Sequence, residues 1–211
     1  GMPEGTVHSE LLRRPGKLYV LASHFHPDHF NKEVLQWREQ RPDIIYIFSK
    51  DILRHRRAQK EDAVWLKKGE EYKDETLSVR AFGSTDVGVS FLLQTGGKKI
   101  FHAGDLNNWH WMDESTEAEW KGAEKNFLHE LDDLYAYTPE VDVAMFPVDP
   151  RLGKEYMRGA GQFVTKIKTH IFVPMHFTPE YAKANAFRDF AEAHGVRFVS
   201  LTHRGQKIEI E

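Results

Sequence analysis

Four side chains able to hold a metal ion fall within six residues: His24, His26, Asp28 and His29, in the run His24-Phe25-His26-Pro27-Asp28-His29. Twelve histidines in 211 residues would rarely crowd this tightly by chance. Residues two apart in an extended segment point the same way, so His24 and His26 can face one ion together. Asp28 and His29 fall where the chain turns towards a helix and can face a second point a few ångströms away. Cysteine is absent, which excludes disulfides and thiolate ligands and leaves imidazole and carboxylate as the available donors. Those donors suit zinc, and they also suit iron or manganese.

The pattern His24-x-His26-x-Asp28-His29, between a short apolar strand and a helix, resembles the H-x-H-x-D-H signature of the metallo-β-lactamase superfamily. Two later segments are similar to that family's landmarks. Phe101-His102-Ala103-Gly104-Asp105 resembles the strand end that carries a bridging aspartate. Phe172-Val173-Pro174-Met175-His176 resembles the strand closed by the last histidine. The resemblance runs from about Leu18 to the end of the chain. It implies an α+β fold, a four-layer αββα sandwich formed by one domain over residues 3–211. It also implies two zinc ions, held by His24, His26, Asp28, His29, Asp105 and His176. A metal-bound hydroxide, held by Asp28 and Asp105, would then attack an ester, lactone or phosphodiester. The branch most resembled is that of ascorbate-6-phosphate lactonase, in which the loop equivalent to Pro147-Val148-Asp149-Pro150-Arg151 borders the pocket. Arg151 would there grip a carboxylate or phosphate, or serve only as a surface residue.

Three departures from the family pattern carry expectations of their own. The family supplies a further histidine in a Gly-His-Thr-like turn, and the equivalent stretch here, Phe82 to Gly88, has none. Either Ser84 occupies the ligand position or Asp86 replaces the imidazole, and Asp86 reads equally as a hairpin-turn residue. One metal position is therefore expected to be weaker or to carry an extra water. In resembling proteins a longer front segment forms the first strands; here only Gly1 to Ser23 precede the motif. The expectation is an N-terminally truncated sandwich that binds metal weakly and pairs through an exposed sheet edge as a homodimer. Relatives that reduce oxygen at a di-iron centre have Glu where this chain has His26, so imidazole there favours zinc and hydrolysis.

Around the motifs the elements are legible from hydrophobic pattern. Lys17 to Ser23 and Asp43 to Phe48 read as buried strands. Asn31 reads as the N-cap of a helix to about Arg41, stapled by Phe30 and Leu35, and a basic helix is expected over about 51–60. The runs Ala63–Leu66, Glu71–Tyr72, Leu77–Phe82, Val87–Gln94 and Lys98–His102, punctuated by glycines, read as an antiparallel meander. A long helix over about 115–137 is followed by strands at 141–146, 170–175 and 197–201, alternating with helices at about 154–168 and 181–194. A last edge strand is expected over 206–210. Leu106-Asn107-Asn108-Trp109-His110-Trp111, directly after Asp105, offers either a substrate wall or packing against the long helix. His102 reads as a histidine of the core or one supporting the ligands from behind, and His203, near the last strand, as either a ligand support or a substrate contact.

Composition bounds the rest. A formal charge of −3, with Lys and Arg scattered, offers no basic stripe for nucleic acid. No run of about 18 apolar residues suggests a membrane span, and the absence of cysteine fits a cytoplasmic protein. A small-molecule substrate is the expected partner. The alternatives are a nuclease of the same superfamily and a non-catalytic domain that binds a partner through an impaired site.

Overall fold

The computed structural model describes residues 7–209. Two sheets face each other. The smaller is parallel throughout, in the order β1 (Tyr19–Ala22), β2 (Ile45–Ser49), β3 (Val64–Leu66). The larger has seven strands in the order β10-β9-β8-β7-β6-β5-β4. Its first part, β4 (Glu71–Lys73), β5 (Ser78–Phe82), β6 (Ser90–Thr95) and β7 (Lys98–His102), is antiparallel. The rest, β8 (Glu140–Pro147), β9 (Lys168–Met175) and β10 (Arg197–Phe198), continues from β7 in parallel.

Side-chain alternation makes four layers. On β6, Phe91 and Leu93 face the small sheet and join Ile47, Leu66, Val79 and Ala81 in the inner core, while Leu92 turns outward. On that outer face lie α3 (Glu117–Tyr137), α4 (Arg158–Lys166) and α6 (Arg188–Ala193), packed with Phe101, Phe146 and Phe172. α3 starts at a capping box in which Thr116 N–H donates to Glu119 Oε2 at 2.8 Å. It buries Phe127, Leu131 and Leu134, spaced to share one face. Each such buried side chain contributes about 1.5–3 kcal/mol. The small sheet is covered outside by α1 (Ser9–Leu12), a 3-10 helix (Lys32–Glu39) and α2 (Lys50–Arg54), around Tyr46, Phe48, Phe30 and Ile52. This is the αββα sandwich that the family resemblance implies.

Several local expectations are corrected. Val64–Leu66 does not join the antiparallel meander; it pairs in parallel with β2 in the other sheet. Its three residues carry no period that tells one sheet from the other. Asn31 does cap its helix, accepting from Glu33 N–H at 2.9 Å, but the turns that follow are 3-10 and half-exposed rather than α. The basic helix over 51–60 shortens to α2, and the one over 154–168 divides into a 3-10 segment (Pro150–Glu155) and α4. The helix over 181–194 divides into α5 (Tyr181–Asn185) and α6, where Phe187 is buried against Phe172 and Phe198. Residues 206–209 form no strand, and Ile210 lies outside the described residues.

Parallel registry sets where chemistry can sit. His102 aligns with Met145, and Pro147 with Met175. The carboxyl ends of β7, β8 and β9 therefore lie along one rim, and the loops that follow them carry Asp105, Asp149 and His176.

Candidate metal centre

Beyond Ala22 the chain leaves β1 and turns on itself, with the N–H groups of His29 and Phe30 both donating to His26 O, at 3.0 and 2.8 Å. Phe25 is pulled the other way. Its N–H donates to Asp51 Oδ2 at 3.0 Å, and its ring stacks on His55 at 3.7 Å. That leaves His24 and His26 turned towards the rim of the large sheet. Two glycines let the elements close in. A Cβ at Gly88 (φ 76°) would overlap the Ser23 carbonyl oxygen, and one at Gly104 (φ 55°) would come within 3.0 Å of Val89 O and 2.9 Å of Ser23 Cβ.

The structure brings all six residues singled out by the sequence to one place. His24 Nε2 lies 3.1 Å from His26 Nδ1 and 3.2 Å from Asp105 Oδ2. His26 Nδ1 lies 3.5 Å from Asp86 Oδ2. One donor atom from each of His24, His26, Asp86 and Asp105 falls within 4.8 Å of all the others. Asp28, His29 and His176 form a second such group. In it His29 Nε2 is 3.4 Å from Asp28 Oδ2 and 3.2 Å from Asp105 Oδ1, and His176 Nε2 is 3.4 Å from that same Oδ1. Metal–donor bonds of 2.0–2.1 Å at tetrahedral angles put donors roughly 3.3 Å apart, so both groups have the spacing of a divalent cation's shell. Asp105 Oδ1 is buried and, among the described residues, makes no hydrogen bond, although the His29 and His176 nitrogens lie at 3.2 and 3.4 Å. A buried acceptor left that way needs a reason, and a cation shared with His29 and His176 supplies one.

Outer contacts fix the rings. His24, fully buried, has Ser23 Oγ 3.0 Å from its Nδ1, which leaves Nε2 for the centre. His176 Nδ1 donates to Asp149 Oδ2 at 3.0 Å, and Asp149, itself fully buried, also accepts from Arg151 Nε at 3.0 Å and Nη2 at 2.6 Å. His176 takes a left-handed backbone (φ 60°). For a residue with a Cβ that costs about 1–3 kcal/mol, a strain commonly found where function fixes a side chain.

The protonation states follow. Burial pushes Asp105 up, but the hydrogen bond with His24 and the neighbouring His29 and His176 outweigh it, so its carboxyl sits below the usual range. Burial lowers His29. It also opposes protonation of His176, but Asp149 wins and raises that ring. Asp149 is held at about 2 because His176 and Arg151 overcome its desolvation. His102, pushed by burial to about 4, accepts from Gly104 N–H through Nδ1 at 3.1 Å and joins neither donor group.

Over the donors opens a cavity of about 350 Å³, walled also by Thr85, Trp109, Trp111 and Arg151. Trp109 donates from Nε1 to Asp105 O at 2.9 Å and meets the His176 ring edge-on at 5.4 Å. The two tryptophans thus line the cavity, where the substrate-wall reading needs them. His110 is structural, bonded to Met112 N–H and Glu155 O. His203 is exposed, beside Thr202, and does not line the cavity. Sequence reasoning passed over Ser23 and Asp149. The Asp-x-Arg spacing in the loop after β8 is the signal that could have found Asp149.

The family described as the Beta-lactamase superfamily domain matches residues 8–177. No curated protein matches the chain. Among solved structures, a metallo hydrolase from the hyperthermophilic archaeon Ignicoccus hospitalis is similar at 16% identity and a TM-score of 0.62, covering 94% of this chain and 82% of its own. CmlA, a diiron β-hydroxylase from Streptomyces venezuelae, is similar at 15% identity and a TM-score of 0.58, covering 89% of this chain but 44% of its own. Zn2+-bound PqqB from Methylobacterium extorquens is similar at 16% identity and a TM-score of 0.51, covering 86% of this chain and 70% of its own. At such identities the likeness is one of fold.

Proposed function

The chain belongs to the β-lactamase superfamily domain family, and on that footing we propose that it is a metal-dependent hydrolase in which His24, His26, Asp28, His29, Asp105 and His176 hold two divalent cations. One observation carries this reading. The two oxygens of Asp105 face different donor groups, Oδ2 towards His24 at 3.2 Å and Oδ1 towards His29 and His176 at 3.2 and 3.4 Å. A carboxylate so placed can bridge two cations and offset their repulsion. Zinc is the proposed pair, and iron or manganese also suits these donors. Such a pair, when bound, supplies a water acidic enough to attack at neutral pH and a Lewis acid for the substrate's oxygen.

The protein's own groups do the rest. Asp105 at the cavity floor and Asp28 at its exposed mouth are placed to accept hydrogen bonds from the attacking water and aim it. Trp109 and Trp111 offer a flat apolar wall that limits access of bulk water. Arg151 has Nε and Nη2 committed to Asp149, so its Nη1 end is the part that can meet an anionic group. These features favour a small ester, lactone or phosphodiester bearing a carboxylate or phosphate. The Arg151 loop at the pocket supports a place near the ascorbate-6-phosphate lactonase branch. A net charge of −3 argues against nucleic acid as substrate. Among the described residues no helix is long and apolar enough to cross a membrane; a cytoplasmic location is proposed on the lack of cysteine.

The test is to strip the protein with chelator, reload it with zinc, manganese or iron(II), and assay esters, lactones and phosphodiesters beside RNA and DNA. Metal-dependent turnover of a small-molecule class is expected, with Asp105→Ala losing both ions and activity. An Asp105→Ala protein with full metal content and full turnover would overturn the reading.

A further inference from the structure

The loop joining β5 to β6 carries three polar side chains, Ser84, Thr85 and Asp86, at the place where the metal-binding pattern lacks its histidine. Their surroundings separate them. Thr85 is spent on the backbone: its Oγ1 donates to Asn107 O at 2.6 Å and accepts from Asn107 N–H at 2.9 Å, which ties the loop to the segment after Asp105. Ser84 Oγ accepts from Asp86 N–H at 3.4 Å, caps the turn, and belongs to neither donor group. Asp86 alone turns its carboxylate into the cavity, 3.5 Å from His26 Nδ1 and within 4.8 Å of the donor atoms of His24 and Asp105.

Resting on the metal-dependent reading above, we infer that Asp86 is the fourth protein ligand of the cation held by His24 and His26, so that this position has two imidazoles and two carboxylate oxygens and favours a manganese-class ion more than a three-imidazole site would. The other position, with His29, His176, Asp28 and the second oxygen of Asp105, then has the same donors, and the two halves are chemically matched. Carboxylate is the harder donor and suits manganese, whereas imidazole suits zinc, copper and iron. The exchange also brings a third carboxylate, with Asp28 and Asp105, into the shell and leaves two bound dications one unit less positive than a histidine would. Asp86 is the outermost ligand of its group, its side chain 43% exposed against 0% for His24. It is therefore the ligand that incoming anions meet first.

Chelator-stripped wild type, Asp86→Ala and Asp86→His proteins would be titrated with manganese(II), followed by electron paramagnetic resonance and calorimetry, and then challenged with zinc. Thermal melts of the stripped proteins would confirm that each is folded. Wild type is expected to bind two manganese ions. Asp86→Ala should keep one and lose at least about 100-fold in affinity for the other, since losing even an outer partner of a ligand commonly costs 10–100-fold. Asp86→His should regain the second ion and shift its preference from manganese to zinc by about 10-fold or more. If Asp86→Ala binds two manganese ions with wild-type affinities, Asp86 is only an ion-pair partner of His26 and the assignment is wrong. A wild type that binds no divalent ion would overturn the metal-dependent reading and this ligand with it.

Discussion

His176 is held from both sides, its Nε2 facing Asp105 Oδ1 and its Nδ1 bonded to the buried carboxylate of Asp149. A ligand imidazole anchored in this way keeps one tautomer and one ring orientation and is the more basic for it. Asp149→Asn should therefore weaken metal binding by about 10–100-fold without removing a donor. Calorimetric titration of the stripped variant would check this, and unchanged affinity would mean that Asp149 serves only to hold the Arg151 loop. Asp149 also shows where single residues were hard to read. The six donors stand in recognisable patterns, but a partner that acts through another side chain leaves no spacing of its own. Asp86 was ambiguous for a related reason: a carboxylate in a turn after glycine is equally at home as a turn former.

At the scale of elements, two close approaches shape the centre, and one polar knot ties the opposite end of β1 to the large sheet. Gly88 and Gly104 allow the β5–β6 loop and the end of β7 to touch Ser23 and His24. Alanine at Gly104, where φ is 55° and the nearest atoms lie at 2.9–3.0 Å, should cost about 1–3 kcal/mol from backbone strain, more if packing must also give way. Chemical denaturation would measure it; full stability with full metal affinity would mean that the rim is looser than its contacts imply. At the start of β1, Asp74 accepts from Tyr19 Oη at 2.7 Å, Tyr72 Oη at 2.9 Å and Lys17 Nζ at 3.0 Å, and from the N–H groups of Thr76 and Leu77. Desolvation pushes this carboxyl up, but those hydrogen bonds prevail and hold it far below the usual carboxylate range. A depressed folded-state value means that the stabilisation is complete above the unfolded pKa of about 3.9 and fades as pH falls through the lower folded value. The stability gap between wild type and Asp74→Asn should thus be flat above about pH 5 and close below pH 4, as urea melts across pH would show. A gap that widens in acid would contradict this account. Of these elements the sequence made β1, β2 and α3 plain, because long or strongly apolar segments advertise their period. β3 was put in the wrong sheet because pairing between distant strands leaves no local mark. The division of α5 from α6 was hidden because the burial of Phe187 is decided by Phe172 and Phe198, not by its neighbours in sequence.

Across the whole molecule, the donors are divided between the sheets. His24, His26, Asp28 and His29 follow β1 of the small sheet, whereas Asp86, Asp105 and His176 follow strands of the large one. Ions held between them would fasten the two layers together. Ligand that binds only the folded state adds about 2.7 kcal/mol of stability at a free concentration 100 times Kd. For a chain of this size that is roughly 5–10 °C in Tm. Calorimetric scans with added metal and with chelator should differ by about that amount, and coincident scans would show that the sheets are already fixed without the ions. The layered fold was legible because alternating strands and amphipathic helices admit few other arrangements. The coverage of each face was not, because it depends on strand order.

The same division has a kinetic consequence. His24 and His176 stand about 150 residues apart, and the entropy of closing so long a loop must be met before their contact can reward it. The complete donor set therefore comes together late, after the local hairpins β4 to β7 and the helix α3 can form. Interactions absent from the transition state slow unfolding and leave the folding rate nearly unchanged. In stopped-flow experiments metal should lower the unfolding limb while the refolding limb with and without chelator superimposes; a refolding limb raised by metal would show that the donors meet before the transition state. The ions would then act as a latch on a finished structure, prolonging its lifetime, and not as a nucleus on which the chain assembles.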